Sequence, residues 1–457
     1  MSNLNITGPA GVVPPGRNND RMVIDWWSTD ELWQSGKNPR RYTLKEIKKA
    51  ERILKRWDVR LPLVITSDGC VIAHYIAVIA ARRAGITQLP VVYADDIPAA
   101  ERQALSLALD RFYELGEFDR TMLGELLMQI EIEVPDLQFE DIGFDAAEVD
   151  QAIAAKPVTE KVEEPLAPAS AICSTVGDLW LLGGHRTMCG DAKDRSAYTR
   201  LLNGKRAQMC FTDPPYGCPV KGFVSSRGHR EFVEASGELG PDRLRTFFGG
   251  FCTVIAEHVD PGAVIELCID WRSAPILMQA ASSCFGDLIN LAVWVKDRAG
   301  MGSFLRSQYE LILIYAMPGG PPRNNVQLGR HGRNRTNVWK YPCAMSFRHS
   351  GAEGDLLDDH PTPKPKDMVA DAILDCTARG DIVLDPFLGS GSSLIAAEKI
   401  GRLCFGMDLD PAYVDLAVRR WQSWTGCQAV HADTGELFDD RFAAVEQQGQ
   451  GGEQDNG

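Results

Sequence analysis

The stretch DIVLDPFLGSGSSLIAAEKIGRLCFGMDLDPAY, Asp381 to Tyr413, decides how the larger part of this chain folds. A short apolar strand, Ile382 to Leu384, runs through Asp385 into a glycine-rich turn. Apolar residues then follow helical spacing to about Lys399, and a second strand, Leu403 to Met407, ends in Asp408. Gly389 and Gly391 let the backbone come close to a ligand at the start of the helix, where unpaired N–H groups point outward. Asp408 follows Asp385 by 23 residues, near the roughly 20-residue offset at which an acid at the next strand end holds ribose hydroxyls. By geometry this is a nucleoside site. No lysine follows the glycines, so it is not a Walker loop, and GSGSSL lacks the third glycine of a dinucleotide turn.

A second unusual turn lies upstream, in MCFTDPPYG, Met209 to Gly217. QMCFTD reads as a strand ending at Asp213, at the carboxyl edge where open parallel sheets place ligands. Pro214 and Pro215 have fixed φ and no N–H, so the Asp213 and Pro214 carbonyls sit in a stiff turn with no following donors to engage them. A carboxylate, a free carbonyl and the Tyr216 ring on such a turn could grip a flat group bearing an NH2. The plainer reading, a proline-rich turn capped by Asp, fits the same residues.

Around these two turns the chain divides. At 457 residues it has room for two or three domains. Residues 45–150 read as a compact α/β unit. KEIKKAERILKRW is a helix, LPLVITSD a strand, HYIAVIAARRAG a helix closed by Gly85, and LPVVYAD a strand. Two further helices follow, from about Pro98 to Leu115 and from Asp119 to about Glu133. The expected domains are 1–154 and 173–440, joined by a Pro/Glu/Ala-rich linker over 155–172. Strands and helices alternate through the second domain, the pattern of a parallel α/β sheet. The tail, 441–457, with EQQGQGGEQDNG, holds too little apolar surface to order itself.

Composition is that of a soluble globular protein, 44% apolar and 24% charged. No apolar run is long enough for a bilayer, and the start lacks the basic-then-apolar pattern of a secretory signal. The nearest of the 12 cysteines, Cys210 and Cys218, are eight apart. That spacing excludes CxxC zinc or redox pairs and suggests reduced thiols in a cytoplasm, and no metal site is expected. A net charge of −14 argues mildly against coating nucleic acid, but a local groove remains open. Between Glu310 and Glu353 no acid occurs, while Arg323, Arg330, Arg333, Arg335, Lys340 and Arg348 do. A solvated basic loop is the ordinary explanation. Asn337, Trp339 and Tyr341 in the same window favour nucleic acid, since amides read base edges and aromatics stack on bases.

Taken in order, TDPPYG, HPTPKP (His360 to Pro365) and DPFLGSGS resemble the amino-group DNA methyltransferases that use S-adenosylmethionine. With DPPY first and a long segment before the glycine turn, the order is similar to the permuted β group. GDLWLLGGHRTMCGDAKD, WVKDRAGMGSFLRSQYE and LGRHGRNRTNVW extend the resemblance over the second domain. It implies a Rossmann-like α/β methyltransferase sheet acting on double-stranded DNA. The catalytic turn is Asp213, Pro214, Pro215 and Tyr216. The cofactor contacts it implies are Asp385, Phe387, Gly389 and Gly391, the ribose acid Asp408, Asp191 near the adenine, and Thr362 and Lys364 beside the methionine carboxylate. An insert at about 318–352 would read the duplex through Arg330, Arg333, Arg335, Asn337 and Lys340. DPPY leans toward adenine N6 and SPPY toward cytosine N4 in these families, so adenine is expected and cytosine is the alternative. Ser392 and Ser393, where GTT is frequent, and Asp408, where Glu is frequent, depart slightly. Pro342-Cys343 is similar to the Pro-Cys nucleophile of 5-methylcytosine enzymes, but those carry no DPPY, and Cys343 reads as a core thiol.

The first domain, RMVIDWWSTDELWQSGKNPRRYTLKEIKKAERILKRWDVRLPLVITSDGCVIAHYIAVIAARRAG, looks like a ParB-like domain. Where that family carries a phosphate-binding Gly and Arg, this chain has Ala73-His74-Tyr75, which argues against nucleotide hydrolysis. His74 is expected to cap or pack at a helix start, and Arg82 and Arg83 to form a solvated helix end. An accessory role in DNA contact or assembly is the expectation, with a homodimer one assembly left open. A non-catalytic DNA-binding module is the rival reading.

Overall fold

The computed structural model describes residues 23–34, 40–112, 118–154, 166, 169, 171–219, 233–300, 304–327, 335–343 and 364–452. They form two compact units, Met1–Asp145 and Ala146–Gly457. Among the described residues no helix is long and apolar enough to cross a membrane.

The first unit holds β1 (Asp25–Ser28), β2 (Trp33–Gln34), α1 (Leu44–Trp57), β3 (Leu63–Ile65), β4 (Cys70–Val71), α2 (Tyr75–Ala84), β5 (Gln88–Tyr93), α3 (Ala99–Phe112) and α4 (Arg120–Glu133). Its sheet runs β1-β5-β3-β4-β2. Thr43 and Glu46 close a capping box at the start of α1. Gly85, at φ +78°, ends α2 in the left-handed conformation that costs glycine nothing. Leu63, Ile65, Val78, Leu89 and Val91 fill the core. Arg82 departs from expectation, because its guanidinium turns inward to donate to the carbonyls of Thr29 and, at 2.8 Å, Leu32. Half-buried His74 stands at the start of α2 at φ +64°, with no side-chain cap.

The second unit opens with α5 (Ala146–Ala154), β6 (Leu179–Leu182), β7 (His185–Cys189), α6 (Arg195–Leu202), β8 (Ala207–Thr212), α7 (Pro241–His258) and β9 (Val259–Ile269). It continues with α8 (Ala274–Phe285), β10 (Leu288–Val295), β11 (Tyr309–Ala316), β12 (Val338–Lys340), α9 (Lys366–Cys376) and β13 (Ile382–Asp385). Last come α10 (Ser392–Lys399), β14 (Leu403–Asp408), α11 (Pro411–Thr425), β15 (Val430–His431) and α12 (Phe438–Gly452). The ten strands lie in the order β12-β10-β11-β9-β8-β13-β14-β7-β6-β15. The five central strands, β9 to β7, are parallel, while β11 and β6 turn back antiparallel at either side.

A parallel strand covered on both faces should be apolar at successive positions, and β8 is. Met209 and Phe211 join one buried cluster with Trp294, Ile312 and Ile373, while Cys210 joins the other with Phe248, Phe251 and Leu384. The carboxyl ends of the five parallel strands therefore share one edge. The β10–β11 hairpin brings its loop there too, since β11 begins where β9 ends.

Two boundaries differ from the sequence reading. The division falls after Asp145 rather than after residue 154, because α5 packs with the second unit. Buried Arg402 clasps Asp150 through two bonds of 2.7 and 2.8 Å. The chain after Arg441 was expected not to order itself, yet α12 continues to Gly452. Phe438 is buried beside Trp180, with Phe442 and Val445 packed at helical spacing against the same cluster, and Arg441 pairs with Asp178 at 2.9 Å.

Candidate active site

Strand order alone brings the two turns together. β8 ends at Thr212 and lies directly beside β13, with Cys210 opposite Leu384. Just beyond that pair the strands are tied together: Thr212 Oγ1 donates to Asp385 Oδ1 at 2.8 Å. The Asp-Pro-Pro-Tyr elbow and the glycine cradle are thus anchored to one another although 173 residues separate the bonded pair.

The cradle follows from its glycines. Gly389 (φ +51°) and Gly391 (φ +83°) take left-handed conformations, and a Cβ on Gly391 would lie 3.0 Å from that of Ala417. Asp385 accepts the Phe387 N–H at 3.2 Å. Asp408 accepts the Gly389 and Asp410 N–H groups, each at 2.9 Å. Burial pushes Asp385 up to about 6 against hydrogen bonds from Ser393 and Thr212. It pushes Asp408 up to about 7 against its two backbone donors. No cation faces either acid in these contacts, so further hydroxyl donors would stabilise their ionised forms. Asp191, just past the end of β7, neighbours this point: the Gly190 N–H donates to the Asp408 carbonyl at 2.9 Å. The Phe387 ring stands edge-on to Phe251, centroids 5.0 Å apart.

The elbow is more crowded. Tyr216 Oη donates to Asp213 Oδ1 at 2.5 Å, and its carbonyl is pinned by Ser273 Oγ at 2.6 Å. Lys364 Nζ lies 2.5 Å from Asp213 Oδ2 and 3.5 Å from Glu310 Oε2, which is also 3.5 Å from Lys296 Nζ. Two carboxylates and two ammonium groups balance in a buried space. Burial, then Glu310, raises Asp213 against the pull of Lys364. Burial works to raise Glu310 too, but Lys364 and Lys296 hold it below its ordinary value. Lys364, which burial alone would lower, is raised by Asp213 and Glu310 and stays charged.

The expectations fare unevenly. Asp213, Pro214, Pro215 and Tyr216 share the sheet edge with Asp385, Phe387, Gly389, Gly391, Asp408 and Asp191. Lys364, expected beside a methionine carboxylate, has its ammonium against Asp213 on the elbow. Arg335 was expected on DNA. It is instead committed internally, with Nε 2.7 Å from Asp375, Nη1 3.0 Å from Asp371, and the guanidinium 4.6 Å above the Trp339 ring. Asn337 is exposed but ties to the Leu291 carbonyl at 3.2 Å, and Lys340 is exposed on β12. Thr362, Arg330 and Arg333 lie outside the described residues. Cys343 is buried, its N–H bonded to Asp297 at 2.8 Å.

Sequence reasoning passed over Thr212, Lys296, Ser273 and Glu310. The signal for Glu310 was present: one acid inside the apolar run YELILIYA.

Residues 207–419 match the family model N6_N4_Mtase, described as DNA methylase. That match lies wholly within the second unit and spans less than half of the chain. Among curated proteins, the Type II methyltransferase M.BglII of Bacillus subtilis is 36% identical over 86 residues, 19% of this chain. That match spans only 22% of the relative's own length. The Type II methyltransferase M1.MboII of Moraxella bovis is 26% identical over 252 residues, which cover 51% of this chain and 94% of that protein. Among solved structures, the cytosine-N4-specific PvuII DNA methyltransferase aligns over 63% of this chain and 95% of its own. Identity there is 12% and the TM-score 0.40. The methylase match begins at β8 and ends within α11, so the elbow, the cradle and Asp408 all fall inside it.

Proposed function

We propose that this chain moves a methyl group from S-adenosylmethionine to the exocyclic amino group of a base extruded from double-stranded DNA, with adenine N6 the preferred target and cytosine N4 the alternative. The observation that carries the reading is the Thr212–Asp385 bond, which sets a nucleoside cradle beside an elbow able to grip an amino group.

The residues fit the cofactor. The Gly389 and Gly391 turn leaves backbone room, Asp408 offers lone pairs to ribose hydroxyls, and the Phe387 ring forms an apolar wall. Bound there, S-adenosylmethionine supplies the electrophilic methyl group.

At the elbow, the amino nitrogen is a poor nucleophile because its lone pair is shared with the ring. Its two N–H groups donating to the Asp213 carboxylate and the Pro214 carbonyl favour a tetrahedral nitrogen with a localised lone pair. Tyr216 stacks on the extruded base, which cannot be reached inside the duplex. Before the base arrives, the Tyr216 hydroxyl and the Lys364 ammonium occupy the two oxygens of Asp213, one of which must be freed to accept the amino N–H. The Lys364 charge favours the ionised form of that acid against the burial that raises it, and Glu310 offers the displaced ammonium a second partner. Asp213, or water, then takes the proton the nitrogen loses. Holding the reacting atoms in line supplies much of the rate. The first unit, ParB-like in sequence, is proposed as an accessory for DNA contact or assembly.

Asp213→Ala should lose labelled-methyl transfer to DNA by on the order of a hundredfold or more, while binding of S-adenosylhomocysteine, followed by calorimetry, is kept. Full activity in that variant would remove the mechanism. Sequencing modified bases in DNA from cells expressing the chain decides between adenine and cytosine.

A further inference from the structure

The loop between β10 and β11 shares the edge that carries the active site. Its stems touch the chemistry: Lys296, just past β10, and Glu310, at the start of β11, both belong to the buried charge cluster around Asp213. Main-chain and side-chain bonds brace it. Lys296 N–H donates to the Gln308 carbonyl at 2.9 Å, Gly300 N–H to Ser307 at 2.7 Å, and Arg306 to the carbonyls of Gly300 and Ala299 at 2.9 and 2.8 Å. On this braced stem Phe304 is 94% exposed and Leu305 78%. Phe304 is the most exposed large apolar side chain among the described residues. Two adjacent apolar groups held in water forfeit burial that a fold normally secures, so the pair marks a contact surface.

The surroundings indicate what that surface meets. Exposed Arg298 lies on the same loop, and exposed Lys340 lies opposite Val295, at its base. On the strand between the loop and the elbow, β9 is followed by half-exposed Trp271, with the Arg272 guanidinium stacked 4.6 Å from its ring centroid. Besides Glu310, the acid Asp297 shares the stem and is engaged by the Cys343 N–H, and Arg272 also lies 3.5 Å from Asp270. Apolar side chains on a loop that carries one cation and has another at its base suit a stack of bases flanked by phosphates. Apolar side chains are the groups that enter and unstack base steps, and cations hold the adjoining backbone.

We propose that Phe304 and Leu305 enter the duplex beside the target base and occupy the space its extrusion leaves, so that this loop opens the stack and the Asp213 elbow receives the base. The inference rests on the methyltransferase reading above and assigns these residues the step before it. Their work is done once the base is free, so their value depends on whether the target starts paired.

The test uses the full chain and two synthetic duplexes carrying the sequence found methylated in expressing cells. In one the target is paired, and in the other it faces an abasic position. Phe304→Ala/Leu305→Ala should lose on the order of tenfold or more in methyl transfer on the paired target and stay within about twofold of the unsubstituted chain on the unpaired one. Phe304→Leu should recover most of the loss. Equal losses on both duplexes, or no loss on either, would overturn the inference. S-adenosylhomocysteine affinity and Tm, measured alongside, should be unchanged, since the side chains touch solvent. Failure of the unsubstituted chain to methylate either duplex would instead sink the methyltransferase reading, and this inference with it.

Discussion

Asp408→Asn tests the cradle most directly, through pH. The Asp408 carboxyl is partly enclosed near Asp410, Asp385 and Cys189, and its desolvation raises it to about 7. A ribose hydroxyl donating to this group favours its ionised form. With a dissociation near 7, about a tenth of the carboxyl is ionised at pH 6 and about nine-tenths at pH 8, so affinity should rise about tenfold across that interval. Asp385, at about 6, is already half ionised at the lower limit and adds at most about twofold. Calorimetric binding of S-adenosylhomocysteine suits the assay, since the ligand is unreactive. The unsubstituted chain should show the full rise. Asp408→Asn should bind more weakly at pH 8 and keep only the shallow residual slope. In the ligand-free fold the sign reverses. A carboxyl raised above its unfolded value of 3.8 stabilises the fold at low pH and loses that contribution as pH climbs through about 7. Flat affinity in the unsubstituted chain, or an equal slope in the variant, would refute the assignment of Asp408 to the ligand.

Two further changes probe the neighbourhood. Lys364→Met removes the ammonium that opposes the burial of Asp213, so the acid limb of the pH–rate profile for methyl transfer should move to higher pH. An unmoved limb would separate Lys364 from the ionisation of Asp213. Arg402→Met leaves Asp150 half-enclosed without its two-bond partner and should cost about 3–5 kcal/mol in urea unfolding, part of it recovered when Asp150→Leu is added.

Much of the frame was legible in the chain. Helix starts and stops were, because Thr43, Asp119 and Gly85 carry their capping chemistry locally. So was the strand–turn–helix–strand around the cradle, where period and glycines agree within a residue or two. The misreadings share a cause. A charged side chain does not show in sequence which distant partner will reach it. Arg335 looked free because Asp371 and Asp375 lie on α9, a turn of helix apart and far along the chain. Lys364 and Glu310 meet only when β11, β8 and the start of α9 converge. The tail was misjudged on composition, although Phe438, Phe442 and Val445 already repeat at the spacing of a helix face.

The bond between Thr212 and Asp385 has an evolutionary corollary. The chain must leave the sheet after one partner and come back next door for the other. Closing so long an excursion adds only about 0.6 kcal/mol for each doubling of its length. On the proposed reading, segments that choose the target sequence could be exchanged, lengthened or rebuilt within that excursion while two neighbouring strands keep the cradle and the elbow at a fixed distance.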